Sequence, residues 1–172
     1  ANAAGLLGLV LVQTDRGREA EPLVRAAIRR DPQNPVHHNT LGTLLRAAKR
    51  LDDAVVAYRE AARLGPRLAD AHVALGMALR ESGLLDESRA ALARALGLAP
   101  GNPLAHLHTG LLLRDSGDVH GALQSVSVAC ELAPNLAEAH INRAALLGEL
   151  LLYDEALEAA QRAVALAPER IE

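Results

Sequence analysis

Residues 71–83 read AHVALGMALRESG, and closely similar stretches stand 34 residues before and 34 residues after them. Residues 37–49 read HHNTLGTLLRAAK, and residues 105–117 read AHLHTGLLLRDSG. Leucines, a glycine, a histidine and an arginine therefore recur with one spacing. A fixed period of this length indicates a single structural unit that is repeated along the chain.

Cutting the 172 residues every 34 positions gives five units, 1–34, 35–68, 69–102, 103–136 and 137–170, and leaves two residues as a tail or the start of a further unit. The eighth place is always small: Gly8, Gly42, Gly76, Gly110 and Ala144. The thirty-second place is always proline: Pro32, Pro66, Pro100, Pro134 and Pro168. Because proline ends a helix, we expect a single array over residues 1–172 in which each unit closes at its proline.

Each unit contains two apolar stretches with helical spacing, separated by a polar turn. In the third unit, Leu75 and Leu79 belong to the first stretch and Leu92 and Leu96 to the second. The pattern predicts an all-α fold of antiparallel helix hairpins. Asn34 and Asn102 each precede a proline, and we expect both to cap the helix that follows.

These features resemble the tetratricopeptide repeat family, whose 34-residue period, small eighth place and terminal proline all occur here. The resemblance covers the whole chain and implies a right-handed superhelical solenoid in which the first helix of each hairpin lines a concave groove. The fifth unit departs from the family pattern, with Arg143 in place of leucine and Leu151 in place of the usual turn glycine. We therefore expect its first helix to be irregular.

The composition argues against several classes of protein. The net charge is −3, and only 1% of the residues are aromatic, so the basic and stacking surfaces of a nucleic-acid binder are missing. The apolar run at residues 5–12 is too short to span a bilayer and is predicted to belong to the first helix. The single Cys130 fits a reducing compartment, so we expect a cytoplasmic protein, and the Ala- and Leu-rich style of the array is typical of bacterial members.

Four histidines occupy the fourth place of successive units, where the family usually has an aromatic residue: His38, His72, His106 and His140. Neighbouring helix axes lie about 8–10 Å apart, which is too far for equivalent imidazoles to share a zinc ion. We therefore predict amphipathic fillers that hydrogen-bond a neighbouring helix, with no metal site. His37 and His120 are expected on the surface.

Catalytic chemistry is not expected, and neither is a cofactor. A nucleophile needs a base and an orienting group in the same pocket, whereas the serine, cysteine and histidine residues here are accounted for by the repeat. The sequence also contains no glycine-rich phosphate loop after a strand. We interpret the chain as non-catalytic.

The predicted working surface is the groove face of the first helices, at places five, nine and twelve. An apolar floor and a row of three arginines predict a protein-protein interaction scaffold that binds a peptide or an amphipathic helix carrying acidic groups. Alternatively, the arginines form a structural ladder with Glu81, Asp115 and Glu149 of the following units. The predicted groove residues are Asn39, Thr43, Arg46, Val73, Met77, Arg80, Leu107, Leu111, Arg114, Ile141 and Ala145.

Two further hypotheses concern what lies outside this surface. The resemblance also suggests that the array is the substrate-recognition or self-association arm of a larger enzyme, such as a glycosyltransferase or sulfotransferase. The last predicted helix carries Leu157, Val164 and Leu166. Without a further capping helix this face stays uncovered, and it is a candidate for self-association.

Overall fold

The computed structural model describes residues 17–167, and these residues form nine α-helices and no strand. The first helices of the hairpins begin at residues 35, 69, 103 and 137, and the second helices at residues 17, 51, 85, 119 and 153. The helices are α1 (Gly17–Arg30), α2 (Pro35–Ala47), α3 (Leu51–Leu64), α4 (Ala69–Glu81), α5 (Leu85–Leu98), α6 (Pro103–Asp115), α7 (Val119–Leu132), α8 (Ala137–Glu149) and α9 (Tyr153–Leu166). The helix predicted from residues 5–12 lies outside the described residues.

The chain divides between residues 98 and 99 into two compact parts. We call them unit one and unit two, and we call the five 34-residue segments repeats. In unit one, α2 pairs with α3 and α4 with α5, while α1 packs on α2 and α3 on α4. In unit two, α6 pairs with α7 and α8 with α9, and α7 packs on α8. Short connections force the paired helices to run antiparallel, so the predicted all-α fold of helix hairpins is confirmed.

Each of the four hairpin turns within residues 17–167 contains one residue in the left-handed region. The turns place Gly83 at φ 76° and Gly117 at φ 85°, and the same place holds Lys49 and Leu151, each at φ 61°. In each turn the next backbone N–H bonds back to the first helix, as Leu152 N does to Leu147 O at 2.9 Å. The prediction of an irregular first helix in the fifth 34-residue repeat was wrong, since α8 is one continuous helix. The turn after it forms normally because Leu151 adopts the left-handed conformation that Gly83 and Gly117 have in other turns.

The small eighth place allows the two helices of a hairpin to approach closely. A Cβ atom on Gly42 would lie 2.7 Å from the ring of Tyr58, which is itself buried. Gly76 and Gly110 are crowded in the same way by the side chains of Leu92 and Val126. Glycine is therefore required at these helix crossings by space and not by backbone conformation.

Both predicted asparagine caps are confirmed. The Asn34 side chain accepts a hydrogen bond from Val36 N at 3.1 Å. The Asn102 side chain accepts from Leu104 N at 3.0 Å and from Ala105 N at 3.1 Å. Each cap satisfies backbone donors that the first turn of a helix leaves without partners.

The four histidines at place four bond to the preceding loop, whereas the sequence predicted bonds to a neighbouring helix. Their Nε2 atoms lie 2.8–3.3 Å from the carbonyl oxygens of Pro32, Pro66, Pro100 and Pro134. Each histidine therefore joins the loop that ends one repeat to the helix that opens the next.

The surface prediction for His37 was wrong. Its side chain is buried, whereas His120 is exposed as predicted. His37 stands at the third place of its unit, where Ala71, Ala105 and Ala139 are also buried. The position in the repeat, and not the polarity of the residue, decides which way the side chain points.

Candidate functional site

In unit one, α2 presents three of the predicted groove residues on one face. Asn39, Thr43 and Arg46 are spaced i, i+4 and i+7, and all three are half-buried. The helix α4 packs beside α2 and contributes the half-buried Met77. These four side chains therefore border one partly accessible surface.

A hydrogen-bonded cluster lies beneath this surface. The hydroxyl of Tyr58 on α3 donates to Thr43 Oγ1 at 3.1 Å, and Thr43 Oγ1 donates to the backbone oxygen of Asn39 at 3.1 Å. Burial raises the pKa of Tyr58, and the hydrogen bond to Thr43 and the nearby charge of Arg46 oppose that effect. The neutral phenol thus holds Thr43 in a fixed orientation.

Arg46 also links α2 to α4 through an ion pair. Its Nη1 donates to Glu81 Oε1 at 2.9 Å, and the two side chains are 32% and 27% exposed. The Arg46 Nε and Asn39 Oδ1 atoms are buried and have no hydrogen-bond partner. We name this set the unit-one polar cluster: Asn39, Thr43, Arg46, Tyr58 and Glu81.

Three residues of the predicted apolar floor belong to the cores of their units. Val73 in unit one and Leu107 and Leu111 in unit two are buried. Leu107 and Leu111 pack with Val126 and other residues of the unit-two core. Their burial leaves almost no surface on which a ligand can lie. The accessible apolar surface of the predicted groove therefore comes from other residues.

The remaining predicted residues are more accessible. On α8 of unit two, Ile141 and Ala145 are exposed. Arg80 is half-buried in the last turn of α4. Arg114 lies in the last turn of α6, where its Nη1 is 3.9 Å from Glu149 Oε1. Glu81 and Glu149 therefore lie within reach of the arginines for which they were proposed as partners.

Sequence reasoning missed the role of Tyr58. It stands at the twenty-fourth place, where the equivalent residues Leu92 and Val126 are aliphatic. A signal was present, since Tyr58 is one of only two tyrosines and Thr43 lies at a polar groove place in the same unit. A buried tyrosine usually finds a hydrogen-bond partner, and Thr43 supplies it.

The lone cysteine offers no reactive thiol. Cys130 is buried, and burial raises the pKa of its thiol, although the positive charge of Arg143 opposes that effect. Among residues 17–167, no three His, Cys, Asp or Glu side chains are grouped closely enough to hold a metal ion. In the same part of the chain, no helix combines the length and the apolar character needed to span a membrane.

An open depression of about 570 Å³ lies on the side of unit one formed by α1, α2 and α3. Its lining includes the buried Leu41 and Leu45 and three arginines. These arginines already pair with carboxylates of their own unit, and the hydrogen bond from Arg25 lowers the pKa of Glu21. The pairs are Arg25–Glu21, Arg59–Glu87 and Arg63–Glu60.

Solved structures with this architecture share little sequence with the chain. PilF of Pseudomonas aeruginosa is 22% identical, with a TM-score of 0.83, over 96% of this chain and 75% of that chain. The thermophilic TPR protein TTC0263 of Thermus thermophilus is 23% identical, with a TM-score of 0.86, over 98% and 92% of the two chains. YrrB, a TPR protein with an unusual peptide-binding site, is 20% identical, with a TM-score of 0.65, over 98% and 87%. At these identities the likeness shows the fold alone.

Sequence comparison gives the family directly. No curated protein sequence matches the chain. A profile of the tetratricopeptide repeat matches three overlapping segments, residues 6–69, 39–103 and 73–137. The matched segments span well over half of the 172 residues, and the chain belongs to the tetratricopeptide repeat family.

Proposed function

We propose that this protein is a non-catalytic protein-protein interaction scaffold that binds a peptide or an amphipathic helix along its first helices. The observation that carries the proposal is the unit-one polar cluster. It brings a guanidinium, a carboxylate, an amide and a hydroxyl to the partly exposed face of α2 and α4. Such convergent polar groups next to an adaptable apolar side chain suit the recognition of a peptide.

Arg46 is the proposed anchor for an acidic group of the partner. Its pair with Glu81 is about one-third exposed, and exposed pairs of this kind contribute only about 0–1 kcal/mol. A ligand carboxylate that forms two parallel hydrogen bonds with the guanidinium competes well against such a pair. Met77 supplies the apolar contact beside it, because its unbranched side chain adapts to different ligand shapes.

In unit two, taken by itself, the exposed Ile141 on α8 offers an aliphatic contact. The similarity to YrrB, which is described as having an unusual peptide-binding site, is consistent with peptide recognition by this fold. The ion pairs of Arg46 and Arg114 also serve as links between successive first helices. A partner would therefore bind to a surface that is already held in place.

The test is selection of peptides from a displayed random library, followed by calorimetric titration of the selected peptides. We expect acidic peptides with a hydrophobic residue, and we expect Arg46→Gln to weaken their binding roughly tenfold. Met77→Glu should abolish binding. Leu111→Glu is unsuitable because the side chain is buried, so Ile141→Glu tests unit two.

The matched control is Val56→Glu, which adds the same charge at an exposed place on α3. This variant should bind the selected peptides as the unaltered protein does. Peptides that bind equally well to the Met77→Glu, Arg46→Gln and Val56→Glu variants would show that the first-helix face is not the binding surface.

A further inference from the structure

The phenol of Tyr58 is held at a fixed point beneath the first-helix face of unit one. The side chain is only 1% exposed. Its ring packs against the backbone of Gly42, where a Cβ atom would lie 2.7 Å from it. Because a ring in a close-packed core keeps one orientation, the hydroxyl group at its end stays at one place, next to Thr43.

The supply of hydrogens fixes the direction of the hydrogen bonds around this hydroxyl. Thr43 gives its single hydroxyl hydrogen to the backbone oxygen of Asn39 at 3.1 Å. The 3.1 Å contact between Tyr58 and Thr43 therefore uses the hydrogen of Tyr58. The phenol oxygen keeps only its lone pairs, so it can accept a further hydrogen bond and cannot donate one.

Arg46 is the group beside the phenol that can donate to it. Arg46 follows Thr43 by three residues on α2, so the two side chains are neighbours on one face. Burial raises the pKa of Tyr58, and Thr43 and Arg46 oppose that rise through hydrogen bonds, Arg46 also through its charge. The Nη1 atom of Arg46 donates to Glu81 Oε1 at 2.9 Å. The guanidinium is thus held by a buried neutral acceptor and by a partly exposed carboxylate.

Among the three arginines at place twelve, only Arg46 has this support. Arg80 and Arg114 occupy the same place in the next two repeats. In those repeats the places of the two hydroxyl groups hold apolar residues: Met77 and Leu92, then Leu111 and Val126. Aliphatic side chains offer no acceptor oxygen, so neither repeat can orient its arginine in this way.

Orientation before binding favours a selective arginine. Fixing a long side chain costs conformational entropy, and a group that is already oriented loses less of it when a ligand binds. A carboxylate that forms two parallel hydrogen bonds needs the guanidinium plane in one direction. A neutral amide cannot accept both of these bonds on two oxygens, so it gains less from the oriented group.

We propose that Tyr58 is a positioning residue that orients Arg46 for the carboxylate of an acidic peptide, and that it makes Arg46 the arginine that selects such peptides. The inference rests on the proposed function, in which the acidic peptide binds at Arg46. Tyr58 does not touch the peptide, because its ring is buried. It acts through Arg46, and all of these residues lie within unit one.

The first measurement needs no peptide. Nitrogen-15 NMR relaxation gives the order parameter of the Arg46 Nε–H in the full chain and in Tyr58→Phe, which keeps the ring and removes only the hydroxyl. We expect a loss of order at Arg46 and no change at Arg114 in unit two. Thr43→Val should cause a smaller loss, because the phenol oxygen remains while its hydrogen is no longer held away from Arg46.

The matched control is Thr40→Val. Thr40 also lies on α2, and its hydroxyl donates to the backbone oxygen of Val36, four residues earlier, at 2.9 Å. The hydroxyl of Thr43 makes the same kind of bond, but Tyr58 donates to Thr43. Removal of the Thr40 hydroxyl should therefore leave the order parameter of Arg46 unchanged.

The second measurement uses the acidic peptides selected by display and counterparts with glutamine in place of each glutamate. Tyr58→Phe should reduce the preference for the acidic member of each pair roughly fivefold. In an Arg46→Gln background the same change should not alter the preference. A ratio of two affinities for one protein is not moved by a general loss of stability, so this readout separates positioning from a structural role.

The proposal is overturned if Tyr58→Phe leaves either the order parameter of Arg46 or the preference for the acidic peptide unchanged. If Arg46→Gln reduces the preference and Tyr58→Phe does not, only the role of Tyr58 fails. If Arg46→Gln also leaves the preference unchanged, Arg46 is not the anchor, and the proposed function fails at this point as well. Equal loosening of Arg46 by Thr40→Val would assign the effect to α2 as a whole and overturn the role of the phenol.

Discussion

The hairpins α2–α3 and α8–α9 have the same backbone plan but carry different residues at places eight and twenty-four of the repeat. In the first, Gly42 at place eight faces the ring of Tyr58 at place twenty-four. In the second, the same places hold Ala144 and Ala160. A small residue meets a large one in the first hairpin, whereas both equivalent places hold small residues in the second. The repeat therefore keeps place eight small and tolerates a wide range of volumes at place twenty-four.

The largest expected effect is that of exchanging the small residues at place eight. Gly42→Ala places a methyl group against the buried Tyr58 ring, and we expect a loss of about 2 kcal/mol from overpacking. Ala144→Gly removes a methyl group from a helix and should cost about 0.5–1 kcal/mol through backbone entropy. Urea unfolding of both variants measures the difference.

The control for this comparison is Gly42→Ala combined with Tyr58→Leu, measured against Tyr58→Leu alone. The alanine should then cost much less, because the ring that it meets is gone. A cost that is unchanged by the loss of the ring would show that helix crossing at Gly42 is limited by something other than Tyr58.

The second comparison concerns the hairpin turns. Leu151→Gly should stabilise the protein by about 1 kcal/mol, because a left-handed residue with a Cβ atom costs about 1–2 kcal/mol and glycine gives back part of that gain through backbone entropy. Gly117→Leu should destabilise it by about 1–2 kcal/mol. Thermal or urea unfolding checks both. A loss of stability on Leu151→Gly would contradict the view that the left-handed conformation is strained at this leucine.

Much of the fold could be predicted because several places of the repeat require the same kind of residue for the same structural reason in each repeat. Proline ends the helices, asparagine caps two of them, and glycine permits close approach of α2 to α3. These requirements arise within one hairpin or between neighbouring helices, so the sequence of a single repeat is enough to show them. The irregularity expected at Leu151 did not occur, because the hydrogen bonds of the turn stabilise the left-handed conformation there.

The site was harder to predict because helical spacing shows which side chains share a face but not how deep that face lies. Leu107 and Leu111 were expected on a groove floor, and both are buried. His37 was expected on the surface because it is polar, although the residues at the same place in other repeats are buried. The link from Tyr58 to Thr43 joins two helices through a hydrogen bond, and no single stretch of sequence contains that geometry.

The smallest expected effect separates the Arg46–Glu81 pair from the Arg114–Glu149 pair. A double-mutant cycle with Arg46→Gln and Glu81→Gln should give a coupling of about 0.5 kcal/mol, since the pair is hydrogen-bonded but partly exposed. The cycle with Arg114→Gln and Glu149→Gln should give a smaller value, because its closest approach is 3.9 Å. High salt should reduce both couplings. A stronger coupling for Arg114 than for Arg46 would show that distance does not rank these pairs, and would make Arg46 the more readily released to a ligand.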